Sequence, residues 1–326
     1  MSSTQPSVSR GAAILVAGPT ASGKSALALA LAERIGGTVI NADSMQVYRE
    51  LRIITARPTP AEEATVPHSL YGVRPAAEAG TVAWWRGEAL AAMAQARAEG
   101  RVPILCGGTG MYFLSLTQGL AAIPTVPEEA RAEARRRLAE EGPAALHAAL
   151  AVVDPESAAM LRPSDSQRIS RAYEVYLGTG RGLRSWQLAA EAAPAPWHFA
   201  AILIDPPRDQ LRAAIARRWA AMMDHGALEE VRALGALGLD PALPAMRAHG
   251  VPELLAHLAG GMTREAASYR AILNTGQYTK RQATWFRHHA LAPPERTHSI
   301  HARCDGLSQL SESDQAKIVS IVDGVR

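Results

Sequence analysis

Residues Gly18 to Ser25 read GPTASGKS and fit the pattern G-x-x-x-x-G-K-[ST]. This pattern constrains the fold because it works only between a buried strand and the start of a helix. Both are present. Ala12 to Ala17 (AAILVA) is a short apolar run, and Ala26 to Ile35 (ALALALAERI) is rich in helix formers. Gly18 and Gly23 let the backbone curl so that several N–H groups point inward. The helix start adds positive potential, and Lys24 adds a full charge. The Ser25 hydroxyl can reach a Mg²⁺ held by the same phosphates. A pyrophosphate or polyphosphate is expected here, and the loop alone does not say which molecule carries it. The bland alternative is a chance match, which the strand and helix on either side argue against.

The chain has 326 residues, enough for one large domain or two of ordinary size. Its 48% hydrophobic and 20% charged residues suit a globular protein with a substantial core. A net charge of +3 is only mildly basic, so nucleic-acid contact has to come from local clusters. Cys106 and Cys304 form no C-x-x-C pair, which argues against a disulfide framework. The first ten residues lack a signal-peptide core, and no apolar run approaches a membrane span, so a cytoplasmic protein is expected. Residues 1–10 read as a disordered start. No dimer seam is visible, and a monomer is expected.

Further strand candidates are Gly37 to Asp43, a short one at His68 to Val73, Val102 to Cys106 and Phe199 to Asp205. The helix between Thr81 and Glu99 carries Trp84 and Trp85, better read as core than as ligand stacking. Strands alternating with helices imply an α/β fold, a mostly parallel sheet with helices on both faces. Ligands of such sheets bind beyond the carboxyl ends of the strands. The phosphate loop, Asp43 to Gln46 and Gly107 to Tyr112 all end there, which gathers Thr20, Lys24, Asp43 and Thr109 around one cavity. Residues 127–188 lack a strand pattern and read as four helices: Glu128 to Glu141, Pro143 to Val152, one from Asp154-Pro155, and one from Ser164 or Asp165 to Leu177, stopped by Gly178. The expected organisation is a discontinuous core of residues 1–122 and 197–300, a helical insertion at 123–196, and a tail at 301–326. After the last strand, helices are expected at Arg208 to His225, Leu228 to Leu237, Pro252 to Leu258, Thr263 to Asn274 and Tyr278 to His289. Residues after Leu291 read as loosely packed.

Asp43 stands at a strand end beside the phosphate loop. It can be a general base, a group supporting Mg²⁺, or a solvated turn carboxylate. Its polar neighbours Ser44 and Gln46, able to bond a base edge, favour a functional role. Thr109 sits in GGTGMY, where its hydroxyl can donate to a phosphate or bridging oxygen, or can belong to an ordinary glycine turn. Arg217 and Arg218 follow the last strand, and one of them can clamp a pyrophosphate. Gln277 to His289 interleaves cations with Tyr278, Trp285 and Phe286, suiting phosphates and bases, or equally an amphipathic helix. Gln167 to Arg171 is a second polar-basic patch. His298, His301 and Cys304 are spaced like metal ligands but lack a fourth partner, and coincidence is the better reading.

GPTASGKS, INADSMQVYR, GGTGMY, DSQRISRAYEVYLGTG and NTGQYTKRQATWF occur in the order seen in tRNA dimethylallyltransferases, which the chain resembles from about Ala13 to Phe286. The resemblance implies a P-loop NTPase-like fold with an all-helical insertion that binds tRNA. It implies transfer of a dimethylallyl group from dimethylallyl diphosphate to the exocyclic amine of the adenosine 3′ of the anticodon, in tRNAs reading codons that start with U. It implies that Asp43 is the base and that Thr109 assists the leaving group. Gly18, Pro19, Thr20, Ala21, Ser22, Gly23, Lys24 and Ser25, with Arg218, would hold the diphosphate and Mg²⁺. The anticodon stem-loop would be met by Asp43, Ser44, Met45, Gln46, Thr109 and Arg131, and by Gln167, Arg168, Ile169, Ser170 and Arg171. It would also be met by Arg247, Ala248, His249, Gly250, Val251 and Pro252, and by Thr275, Gly276, Gln277, Tyr278, Thr279, Lys280, Arg281 and Gln282. The sequence departs from the family pattern at Ile54 and Arg57, where IGTAKP is usual, at Val251 after Gly250, where GY is common, and at Gly276, where arginine is common. The rival readings are a small-molecule kinase using ATP in the same loop, and a non-catalytic RNA-binding protein with a relic loop.

Overall fold

The structure is a computed structural model and describes residues 11–189 and 193–325. The expected disordered start at residues 1–10 lies outside the described residues. In chain order the elements are β1 (Gly11–Ala17), α1 (Lys24–Ile35), β2 (Gly37–Asn41), α2 (Pro60–Thr65), β3 (His68–Ser69), α3 (Val82–Ala98), β4 (Val102–Gly107) and α4 (Gly110–Thr117). Then follow α5 (Glu128–Val153), α6 (Pro155–Ala159), α7 (Ser166–Thr179), α8 (Leu183–Ala189), β5 (Trp197–Ile204), α9 (Arg208–Asp224), α10 (Ala227–Ala236), α11 (Val251–Leu258), α12 (Arg264–His288), β6 (Thr297–Ile300) and α13 (Glu312–Asp323).

The six strands form one parallel sheet in the order β3-β2-β4-β1-β5-β6. β1 is central because both its faces are apolar. Its odd residues Ala13, Leu15 and Ala17 join one buried layer with Trp85, Phe113 and Trp219. Its even residues Ile14 and Val16 join a second layer with Leu27, Leu31 and Ile318. Period-two alternation thus divides one strand between two cores. Ile14 pairs with Ile104 on one side and with Ala200 on the other, so the ends of β1 and β4 are level and their following loops lie side by side.

The chain divides into two compact units. One contains the residues up to Thr117 and from Ala195 onward, and the other spans Gln118–Pro194. The smaller unit has its own core of Ala134, Leu146, Leu150, Ile169 and Ala172. Within it, Gly142 at φ +82° interrupts α5 at the junction expected between two helices. α7 passes the expected stop at Gly178 and ends at Gly180, whose left-handed conformation returns its N–H to the Tyr176 carbonyl.

Two expectations are corrected. Residues after Leu291 are packed, not loose: β6 extends the sheet, and Ile300, Cys304, Leu310, Ile318 and Val322 cover its second layer. The helices expected on either side of Asn274 to Gln277 are one helix, α12, continuous through Gly276. Among the described residues no helix is long and apolar enough to cross a membrane.

Candidate active site

The phosphate loop follows β1 and is braced from outside. The Cys304 N–H donates to the Ser22 carbonyl at 3.1 Å, and Arg303 Nε donates to the Ala21 carbonyl at 3.2 Å. Gly23 has φ +97°, and a Cβ there would lie 1.6 Å from the Cys304 carbonyl oxygen, so only glycine fits. Ala21 takes a positive φ of 66°, a strained conformation for a residue with a Cβ. Lys24 is buried, with Nζ 3.4 Å from the Pro19 carbonyl. Burial pulls its pKa below the usual 10.5, against an opposing pull from the Asp43 carboxylate. Ser25 is exposed in the first turn of α1. The Ser22 hydroxyl is buried without a hydrogen-bond partner.

The loop after β2 is held by Asn41. Its Oδ1 accepts from the Asp43 N–H at 2.8 Å, and its Nδ2 donates to the carbonyls of Asp43 and Leu70, both at 3.0 Å. Asp43 Oδ1 accepts from the Met45 N–H at 3.0 Å, forming a tight Asx turn. The loop after β4 is stitched to this one. Thr109 Oγ1 accepts from the Ser44 N–H at 2.9 Å and donates to Ser44 Oγ at 3.2 Å. A Cβ on Gly107 would lie 2.0 Å from the Ala42 carbonyl oxygen, which explains the glycine.

The first two of these loops face a cavity of about 220 Å³; Lys24 and Thr109, expected around one cavity with Thr20 and Asp43, are not among its lining residues. Thr20, Asp43 and Ser44 line it, with Arg218 from α9 and Arg247 from the 3₁₀ turn Pro244–Arg247. Met45, Ile54, Ile215, Trp219 and Met222 give it apolar walls, and Thr55, Ala248, His249, Thr275 and Tyr278 complete the lining. Arg218 Nη2 donates to the Thr55 carbonyl at 3.1 Å. Burial lowers its pKa and Asp43 raises it. Arg217 is exposed, so of this pair only Arg218 reaches the cavity. The rings of His249 and Tyr278 lie 4.7 Å apart, and the Arg281 guanidinium sits 5.5 Å over the Tyr278 ring. Burial drives the Tyr278 phenol to about 12 and holds His249 below its usual value. The Trp219 indole N–H is buried without a partner. A carboxylate beside two cations, with apolar walls, can take an anionic group and an apolar one together.

Several expected RNA-contacting side chains are turned inward. Gln46 Nε2 is spent on the carbonyls of Thr55 and Ala56, at 2.8 and 2.9 Å. Ile169 and Val251 are core residues. Thr279 is buried, its hydroxyl donating to the Gly276 carbonyl at 2.8 Å. Gln282 is buried with both ends of its amide engaged. Gly250, at φ +97°, lies under Trp219. Pro252, Gln277, Lys280 and Arg281 are exposed, as are Gln167, Arg168 and Arg171 on the smaller unit, where Ser170 is half-buried. Arg131, also on that unit, pairs with Glu128 at 3.7 Å. His298 bonds Asp314 at 2.8 Å and Cys304 is a core residue, while His301 is exposed. Among the described residues no group of three or more His, Cys, Asp or Glu is placed to hold a metal.

Two carboxylates escaped the sequence reading. Glu230 accepts from the N–H groups of Arg52, Ile53 and Ile54, fixing the loop that carries Ile54 and Thr55. Glu253 is buried between the Gly250 N–H and Asn274 Nδ2. Only the second left a signal, as an acidic residue three positions after the helix-starting Gly250. A second groove, of about 450 Å³, runs between α9 and α12. Arg208, Arg212 and Lys280 flank it, with Tyr269 and Leu273 exposed along it.

The family model described as IPP transferase matches residues 46–289. The tRNA dimethylallyltransferase of Acidiphilium cryptum (strain JF-5) is 59% identical over 310 residues, covering 95% of this chain and 94% of its own. That of Gluconacetobacter diazotrophicus is 60% identical over 309 residues, covering 95% and 93%. Among solved structures, the full-length tRNA isopentenylpyrophosphate transferase of Bacillus halodurans superposes with a TM-score of 0.67 at 30% identity, covering 97% of both chains. A eukaryotic dimethylallyltransferase acting on tRNA superposes with a TM-score of 0.79 at 25% identity, covering 96% of this chain and 79% of the other. The chain belongs to the IPP transferase family.

Proposed function

We propose that the protein transfers a dimethylallyl group from dimethylallyl diphosphate to the exocyclic amine of the adenosine 3′ of the anticodon in tRNA, releasing diphosphate. Beyond family membership, the observation that carries this reading is the cavity. Its walls are apolar at Ile54, Ile215, Trp219 and Met222, Arg218 supplies a cationic end, and Thr20 joins it to the phosphate loop. A five-carbon isoprenoid on a diphosphate matches apolar walls beside a cationic end.

In this reading the diphosphate sits against the loop N–H groups, Lys24 and Arg218. The adenine is flipped out of the anticodon loop and enters the cavity beside Tyr278. Its amine nitrogen bonds to the allylic carbon as the carbon–oxygen bond breaks, and the electron pair leaves with the diphosphate. Asp43 takes the amine proton, which matters because an aromatic amine is a poor nucleophile. Thr109, whose hydroxyl now donates to Ser44 Oγ, redirects that donation to the bridging oxygen. Apolar walls exclude water from the allylic cation. The Ser25 hydroxyl and the Asp43 carboxylate are hard oxygen donors of the kind Mg²⁺ takes. Held by Ser25 together with the diphosphate oxygens, the ion would neutralise charge on the leaving group. The RNA lies against Gln277, Lys280 and Arg281 of α12, with the cations of the α9–α12 groove taking further phosphates.

Transfer of labelled dimethylallyl to unmodified tRNA tests the reading, with ATP and a small acceptor in a parallel tube. Expected are label in tRNA dependent on Mg²⁺, and a 10²–10⁴-fold lower turnover for Asp43→Ala with tRNA binding retained. ATP consumption without label in tRNA would establish the kinase instead. Full turnover by Asp43→Ala would remove Asp43 as the base.

A further inference from the structure

We propose that Gln282 is a positioning residue, not an RNA contact: its buried amide locks the phosphate loop to the turn that carries Thr109. Its side chain leaves α12 and is only 5% exposed. Oε1 accepts from the Thr20 N–H at 2.9 Å, a partner 262 positions away in sequence. Nε2 donates to the Gly108 carbonyl at 2.9 Å, across 174 positions. Only a carboxamide, or a protonated carboxylic acid, offers an acceptor and a donor at these two ends. The neighbourhood is built around it. A Cβ on Gly108 would lie 2.3 Å from Nε2, so the glycine there makes room for this amide.

The consequence is geometric. Thr20 lines the cavity on the diphosphate side, and Thr109 directly follows Gly108. One rigid side chain therefore sets the separation between the cradle that holds the diphosphate and the hydroxyl offered to its bridging oxygen. A displacement of about 1 Å between such groups costs about 10²-fold in rate. The engaged Thr20 N–H serves the loop's shape, as does that of Ser22, which donates to the Pro19 carbonyl at 3.2 Å.

This inference rests on the transferase reading, and the experiment separates their failures. In the full chain, Gln282→Ala and Gln282→Glu are compared with wild type for three properties. These are steady-state kinetics in dimethylallyl diphosphate, affinity for an anticodon stem-loop RNA, and hydrogen exchange of peptides covering residues 18–25 and 107–112. For Gln282→Ala, exchange rises in both peptides together, kcat/KM for dimethylallyl diphosphate falls about 10²-fold, and RNA affinity stays within twofold. Gln282→Glu preserves the shape and covers the case in which the alanine variant does not fold. Ionised, it has no donor for Gly108 and sets a negative charge beside the diphosphate. Protonated, it mimics the amide, so its activity relative to wild type climbs as pH falls. Weakened RNA binding with unchanged diphosphate kinetics would overturn the proposal, as would unchanged exchange in either loop. If wild type transfers no label to RNA, the transferase reading fails, and the exchange data still decide whether the lock exists.

Discussion

Replacing Glu230 by alanine tests whether one wall of the cavity is held from a distance. Glu230 lies on α10, and its two oxygens accept from Arg52 and Ile53 at 2.8 Å and from Ile54 at 2.9 Å. Hydrogen bonds to a charged group contribute about 1.5–3 kcal/mol each. The three donors are only partly buried, so water takes over much of that interaction, and the expected loss is about 3 kcal/mol in total. Little of it should fall on the core, because the carboxylate serves a loop. That loop presents Ile54 and Thr55 to the cavity, and the Thr55 carbonyl in turn accepts from Arg218 and Gln46. Local opening of residues 52–57 should therefore exceed global unfolding. Hydrogen exchange of a peptide spanning residues 50–58 should rise by one to two orders of magnitude, about 1.4 kcal/mol per decade, and turnover should fall as Arg218 loses its rest. Urea unfolding measures the remainder. Wild-type exchange in this peptide together with wild-type turnover would refute the argument.

Gly276 sits inside α12 with open space where a Cβ would stand. Gly276→Arg should stabilise the helix by about 0.5–1 kcal/mol, visible as a melting point up by roughly 2 °C, and steepen the salt dependence of RNA binding by about one unit. A lower melting point would show that the glycine is required. Lys24 is depressed chiefly by burial, so the unfolded chain holds this proton more tightly than the folded one. Its contribution to stability therefore rises with pH between its folded value and 10.5. In Lys24→Met that rise should vanish from urea midpoints compared at pH 8 and pH 10, the protein should be no less stable at pH 8, and inorganic diphosphate should no longer protect it. Burial pushes the Cys106 thiol up to about 11 and raises Cys304 as well. At pH 8 neither should react with a thiol reagent until denaturant is added, when both should.

What could be read from the chain follows the range of the interactions involved. The phosphate loop, the apolar runs of β1, β2, β4 and β5 and the cap at Asp165 are local patterns, and each lies where its residues indicated, whereas of the strand expected at His68 to Val73 only His68–Ser69 pairs. The strand ends then follow from the parallel topology, which is why Thr20, Asp43 and Arg218 meet in one cavity. β6 was missed because THSI is short and half polar, and it becomes a strand only by pairing with β5 at the sheet edge. Glu230 gave no signal because its partners lie about 176–178 positions away. Gln46 and Gln282 misled in the same manner. Beside Asp43, or in a basic, aromatic stretch, a polar side chain reads as an outward contact, yet each amide is engaged by backbone partners.

The continuity of α12 is the feature with most bearing on function. A break at Asn274 to Gln277 would have let its two halves move independently. As one helix, residues advance by about 100° each, so 275, 278 and 282 fall on one side and 276, 280 and 287 on another. The first set gives Thr275 and Tyr278 to the cavity and Gln282 to the two loops. The second lies along the basic groove. On the proposed reaction, a rod carrying both sets would fix where a flipped base arrives relative to where the diphosphate is held. It would do so without a moving part, and at the cost of keeping Gly276, a poor helix former, within an unbroken helix.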